Sequence, residues 1–256
     1  MWRPSIISPL DAGLMQRVRE KYDLKPLVIH SSYLINLASS DEKVRGLSVQ
    51  GFRGELERAK LIGAEYLVVH PGNHKGVSLE EGMANVVQSL SEASEGFEPG
   101  ITSILLECTA GAGNSIGSKF LELHAIREVA ANMIPVPLGY CLDTCHMFAS
   151  GYDLANESGV KEMVRDAETI LGWDHIKAIH SNDSKGALGS HIDRHENIGK
   201  GLIGREGFRR LLAHPKLRKL PFIMETPVES DEDCRRDIET LRELCPRSST
   251  TTTRSS

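Results

Sequence analysis

The chain has no CxxC pair, and its five cysteines, Cys108, Cys141, Cys145, Cys234 and Cys245, are an odd, scattered set. That argues against a disulfide scaffold and against a thiolate zinc site, and it favours a reducing compartment. Three of them lie in or beside apolar runs, where a small buried thiol is the expectation. No apolar run approaches the length of a membrane span, and Met1-Trp-Arg-Pro-Ser-Ile-Ile-Ser8 has no stretch long enough for a secretory signal, so a cytoplasmic protein is expected. No linker divides the 256 residues, a length that suits one (β/α) barrel and is short for two ordinary domains. The Gly-rich stretch Gly111-Ala-Gly113-Asn-Ser-Ile-Gly117 lacks GxGxxG spacing and reads as a tight loop that lets backbone approach a substrate. An excess of positive charge is missing too, the net charge being −5. Four of the carboxylates counted there, Glu107, Asp143, Asp193 and Glu225, are metal-ligand candidates. Divalent cations bound to them would turn the local field positive, so net charge does not exclude DNA.

What is present is a repeat. Six short apolar runs each end on a residue that can bind a metal: Pro26-Leu-Val-Ile-His30, Tyr66-Leu-Val-Val-His70, Ser103-Ile-Leu-Leu-Glu107, Leu138-Gly-Tyr-Cys-Leu-Asp143, Ile176-Lys-Ala-Ile-His180 and Pro221-Phe-Ile-Met-Glu225. Runs without polar alternation are what strands buried on both faces look like, and a spacing of about 40 residues is what a βα unit needs. Helices are expected over Leu10–Tyr22, Val49–Ile62, Leu79–Ala93, Lys119–Met133, Glu157–Leu171, Arg205–Leu212 and Asp231–Leu244. Ser118 or the Asn114-Ser115 pair is the expected cap of the fourth, with Lys119, Glu122, Arg127 and Glu128 on its polar face. The expected fold class is α/β, a (β/α)8 TIM-type barrel lacking its first βαβ portion, since only six strands are legible and barely one helix precedes the first. It forms one domain over residues 1–245, and the Ser/Thr-rich tail 246–256 is expected to be disordered.

In a barrel of such units the C-terminal strand ends converge on one mouth. Three further candidates lie close in sequence to these ends: His146 in Asp143-Thr-Cys-His146, and Asp193 and His195 in His191-Ile-Asp-Arg-His195. The set of nine is His30, His70, Glu107, Asp143, His146, His180, Asp193, His195 and Glu225. Imidazole and carboxylate without thiolate suit zinc, manganese or iron at a catalytic site. Two or more cations there would suit phosphoester hydrolysis. A lone strand-end His is more often a hydrogen-bonded structural residue, but a Glu at the end of an apolar run would cost several kcal/mol without a partner cation. His74, His124, His175, His191 and His214 are read as structural, with His74 and His191 near enough to touch a substrate.

The segments His30-Ser-Ser-Tyr-Leu-Ile-Asn36, His70-Pro-Gly-Asn-His74, Glu107-Cys-Thr-Ala-Gly-Ala-Gly113, Leu142-Asp-Thr-Cys-His146-Met-Phe-Ala-Ser-Gly-Tyr-Asp153, His180-Ser-Asn-Asp183 and Asp193-Arg-His195 resemble the motifs of the endonuclease IV family in order and spacing, from about Trp2 to Leu244. That family repairs abasic sites in DNA with a trinuclear zinc centre. The resemblance implies hydrolysis of the phosphodiester 5′ to an abasic site, leaving a 3′-hydroxyl and a 5′-deoxyribose phosphate. By it, His30, His70 and Glu107 would hold the first zinc. Glu107 would bridge to a second, completed by Asp143, His180 and Glu225, and His146, Asp193 and His195 would hold the third. Manganese is acceptable at one position. Glu107 would orient the nucleophile, and Tyr33 and Leu34 would wedge into the duplex. Lys75 and Arg194, and after them Lys119, Lys185, Lys200 and Arg205, are placed to meet phosphates. The expected partner is double-stranded DNA with abasic sites, with no membrane, and the expected state is a monomer. Ser31 and Cys108 depart from the family, which usually has Asp at the first and often Asn at the second. The family's first strand, first helix and second strand have no counterpart. Two alternatives stay open: a sugar isomerase-like metal enzyme of the same barrel superfamily, disfavoured by five His, and a truncated, non-catalytic remnant.

Overall fold

The structure is a computed structural model, and it describes residues 6–246. The tail expected to be disordered lies, apart from Pro246, outside the described residues. Six parallel strands form one sheet: β1 (Val28–His30), β2 (Tyr66–Val69), β3 (Ser103–Glu107), β4 (Leu138–Asp143), β5 (Ile176–His180) and β8 (Phe222–Ile223), in the order β1-β2-β3-β4-β5-β8. The sheet curls into a half-barrel. Among the described residues nothing pairs with the outer edges of β1 and β8. A two-stranded antiparallel ribbon, β6 (Asp183–Ser184) with β7 (His195–Glu196), rises from the end of β5. The ribbon is absent from the sequence reading because its two-residue strands carry no periodicity.

The outer face of the sheet meets the helices. Leu67, Val69, Ile104, Leu106, Tyr140, Leu142 and Ile179 join Phe52, Leu56, Leu90, Leu123, Met163 and Phe208 in the main core. The inner face holds a small separate cluster of Val68, Leu105, Cys141 and Ala178, with Val28, Tyr66 and Ile223 packed against it. Both faces are therefore apolar, which is why the runs show no alternation.

Seven of the helices are those expected, with changes at their ends, and an eighth, α5 (Thr144–Ser150), extends from β4. α1 spans Pro9–Tyr22, α3 Leu79–Ser94, α6 Glu157–Asp166 (prolonged by a π-turn over Ala167–Leu171), α7 Gly204–Ala213 and α8 Asp231–Leu244. α2 begins at Glu42 instead of Val49 and runs to Ile62. The Asp41 carboxylate accepts the N–H groups of Lys43 and Val44, so a cap starts a helix that its polar first turns could not announce. α4 (Phe120–Ala130) is three residues shorter at its C-terminus than expected, and neither Ser118 nor Asn114-Ser115 caps it: Lys119 holds that place without a side-chain bond. Glu122, expected on the polar face, is buried instead, its carboxylate accepting the Gly117 N–H at 2.7 Å. α1 turns Leu10, Leu14, Val18 and Tyr22, one face at a spacing of four, to solvent. No described helix is long and apolar enough to cross a membrane.

Candidate metal centre

A strand alternates its side chains, so the residue two beyond an inward apolar residue also faces inward. Val28, Val68, Leu105, Cys141, Ala178 and Ile223 face the inside. Two residues on stand His30, His70, Glu107, Asp143, His180 and Glu225, at or just beyond the C-terminal ends of the strands. β8 ends at Ile223, short of the run read from the sequence, and leaves Glu225 in the following loop.

Glu107 is the hub. It has no exposed surface, and its two oxygens meet different imidazoles. Oε2 lies 2.9 Å from His30 Nε2 and 3.0 Å from His70 Nε2, whereas Oε1 lies 2.7 Å from His180 Nδ1. His180 Nδ1 is also 3.2 Å from Glu225 Oε2. Asp143 is equally buried, with Oδ1 accepting the His146 N–H at 2.8 Å as the cap of α5. The β6–β7 ribbon brings the last pair in: Asp193 lies 3.2 Å from His146 Nε2 and 3.3 Å from His195 Nε2. One ligand atom each from Glu107, Asp143, His180 and Glu225 falls within 4.8 Å of the other three. The same holds for His30, Glu107 and His180; for His70, Glu107 and His146; and for Asp143, His146 and His195. All nine candidate side chains thus meet in one place.

The donor set fits divalent cations. His146 donates from Nδ1 to the Cys108 carbonyl and His195 from Nδ1 to the Glu225 carbonyl. In both, Nε2 is buried and has no hydrogen-bond partner although carboxylate oxygens lie within 4 Å, too far out of line to bond. A fixed tautomer with a buried, unbonded nitrogen turned toward carboxylates is how a metal-ligating imidazole is held. Without a cation, protons do its work. Burial pushes the His30 imidazole down, but Glu107 outweighs it and holds the ring up at about 9. His146, opposed by burial but raised by Asp143 and Asp193, stands at about 10, and His195 at about 9 for the same reasons. His180 is raised against burial by Glu107. Burial pushes Glu107 up, and the imidazoles of His70, His180 and His30 overcome this and hold it well below the usual carboxylate range. The imidazoles of His146 and His195 beside it hold the Asp193 carboxyl well below the usual carboxylate range.

A cleft of about 460 Å³ opens over His30, His70, His146 and Asp193 and is walled by Tyr33, Asn36, Asn73, Thr109 and Ala112. Tyr33 is 90% exposed at its rim, and Leu34 behind it is half-buried. Lys75 and Arg194 are exposed on loops beside the ligands, Arg194 between two of them. Lys119 and Lys200 are exposed as well, whereas Lys185 pairs with Glu196 and Arg205 with Glu243. His74 bonds the Val77 carbonyl and packs on Gly82 of α3, a structural place. His191 bonds the Ala110 carbonyl, and a Cβ on Gly111 would lie 2.7 Å from its ring, so this glycine makes room for a side chain. Ala112 and Ser115 of the same loop line the cleft.

Four supporting residues escaped the sequence reading. Cys108 accepts the Asp143 N–H at its sulfur. Thr144 and Asn182 bond each other across two strand ends, and Asn182 also donates to Asp143 Oδ2. Asp183 gathers the N–H groups of Ser184, Gly199, Gly201, Ile203 and Gly204, and so holds the loop before α7. The available signal was position, because each lies within three residues of a strand-end ligand. Cys145 is the buried thiol expected, held up at about 12 by burial, though its sulfur lies within 4.8 Å of ligand atoms of Asp193 and His195.

Residues 6–244 match the family model described as "Xylose isomerase-like TIM barrel". The chain is 49% identical over 244 residues to "Probable endonuclease 4" of Solibacter usitatus, covering 95% of this chain and 84% of that one. Endonuclease IV from Thermus thermophilus superposes with a TM-score of 0.82 at 33% identity over 95% of this chain and 84% of that one. D-psicose 3-epimerase from Clostridium cellulolyticum H10 shares the fold alone, at 14% identity, a TM-score of 0.65, and 93% and 83% coverage. With half its residues shared with one such relative and its barrel with another, the chain belongs to the endonuclease IV family.

Proposed function

We propose that this protein is a DNA-repair endonuclease that hydrolyses the phosphodiester 5′ to an abasic site, using three divalent cations, with zinc favoured by the donor set. The convergence of nine imidazole and carboxylate side chains, with the two Glu107 oxygens meeting different imidazoles, carries the reading. His30, His70 and Glu107 would hold one cation, Glu107, Asp143, His180 and Glu225 a second, and His146, Asp193 and His195 a third. When bound, such ions lower the pKa of water and neutralise charge on the phosphoryl oxygens.

The chain's own residues do the rest. Glu107, reaching two positions at once, orients the nucleophile. His30, His70, His146 and Asp193 line a cleft, so the phosphate reaches them only if the duplex is bent and the abasic nucleotide is turned out of the stack. Tyr33 at the rim, with Leu34 behind it, supplies the wedge that holds the duplex open, and Lys75 and Arg194 meet flanking phosphates. A sugar isomerase reading is disfavoured by the five imidazoles of the set.

The test is an end-labelled duplex with one abasic-site analogue, incubated with the purified protein. A nick 5′ to the lesion, lost on chelation and restored by zinc, is expected. Intact duplex in the presence of bound zinc would sink the reading, and isomerisation of a keto-sugar without nicking would favour the alternative.

A further inference from the structure

Asn182 is fully buried two residues beyond the end of β5, and both ends of its amide are used. Nδ2 donates to Asp143 Oδ2 at 2.6 Å, and Oδ1 accepts the Glu225 backbone N–H at 2.8 Å. Its main chain is tied as firmly, the N–H donating to Thr144 Oγ1 at 2.8 Å and the carbonyl accepting the Thr144 hydroxyl at 2.6 Å. The amide therefore joins the ends of β4 and β8 through the end of β5.

Each end meets a group that needs holding. Asp143 Oδ1 already takes the His146 N–H, so the bond from Asn182 gives its second oxygen one fixed donor as well. A carboxylate with one donor on each oxygen cannot swing, and each oxygen keeps a free lone pair. Glu225 follows a strand of only two residues, and its side chain is 31% exposed, so its backbone is the less secured of the two.

We propose that Asn182 is a positioning residue that sets Asp143 and Glu225 relative to each other, so that the site of Glu107, Asp143, His180 and Glu225 is formed before a cation arrives. The inference rests on the metal-centre reading above. An Asp at 182 would keep the shape but put a carboxylate oxygen where the donor was, facing Asp143. An Ala would leave the Asp143 oxygen and the Glu225 N–H without partners.

The test uses Asn182→Ala and Asn182→Asp beside the wild-type chain, each loaded with cobalt and titrated with a chelator. Metal content and the visible spectrum are followed, together with the melting temperature of the metal-free forms. In both variants one bound equivalent is expected to leave at chelator concentrations about 10-fold lower or more, in the range found when the partner of a metal ligand is removed. The spectral component of that equivalent should go with it while the remaining equivalents hold, and the metal-free melting temperature should fall only by the small amount that the unpaired or repelling buried groups cost. Superimposable chelator curves would overturn the proposal. So would loss of all equivalents together with a lowered metal-free melting temperature, since that marks a purely structural residue. Should Asn182→Ala fail to fold, the shape-preserving Asp variant decides alone. A wild-type chain that binds no cobalt or zinc would instead overturn the metal-centre reading itself.

Discussion

Glu107 concentrates the chemistry in one side chain, since four imidazoles lie within 4 Å of its two oxygens. Glu107→Gln keeps the volume and removes the charge. Nicking should fall by about 100-fold or more, the scale of a lost general base or nucleophile-orienting group, while the far-ultraviolet circular dichroism stays that of the parent. Near-parental turnover would remove Glu107 from the mechanism. The imidazoles of the metal-stripped protein make a second expectation. His30, His146 and His195 are raised in the folded state to about 9, 10 and 9, above the ordinary value of 6.5. A raised pKa means that the folded state holds the proton more tightly. The resulting stability is full below pH 6.5 and is lost as pH rises through 9 to 10. Asp193 is lowered, so its contribution is present above the ordinary Asp value and lost as pH falls below it. Melting temperatures in chelator should therefore be highest between about pH 4 and 6.5 and fall toward pH 10. A rise over that upper range would contradict the ion pairs.

At the scale of the element, the ligands follow the alternation of a strand and the remaining parts follow caps and loops. The strand ends were legible in the sequence because a His, Asp or Glu that closes an apolar run is costly to bury without a partner, so its residue type already marks a site. The start of α2 was not, because the turns from Glu42 to Ser48 are mostly polar and only Asp41 begins them. Nor was the role of Glu122, whose partner is a loop amide. The loop after β1 presents Tyr33 to solvent while Leu34 is half-buried. If Tyr33 acts on the duplex, Tyr33→Ala should weaken binding or cleavage of abasic DNA by about 10-fold, near the lower end of one lost base–aromatic contact, with metal content unchanged. Loss of bound metal in that variant would place Tyr33 in the structure of the centre.

At the scale of the whole molecule, the sheet of the described residues is open at β1 and β8, and α1 carries an exposed stripe of Leu10, Leu14, Val18 and Tyr22. Unpaired strand edges and a contiguous apolar face both favour association. Light scattering on the 256-residue chain should therefore show a mass that rises with concentration, against the monomer expected from the sequence. A constant monomer mass would mean that these surfaces are covered.

The sequence by itself determined the parallel βα class, the six strand ends and the nine ligand-type residues, because strand burial and ligand chemistry are written in residue type and local spacing. Only the tertiary structure decided how these groups are held: that the two Glu107 oxygens meet different imidazoles, that the ribbon carries Asp193 and His195 to His146, and that Asn182 and Asp183 tie the loops. Apart from the Asp193–His195 contact within the ribbon, those contacts join residues 16 to 77 positions apart, and no local pattern encodes a partner that folding alone brings near.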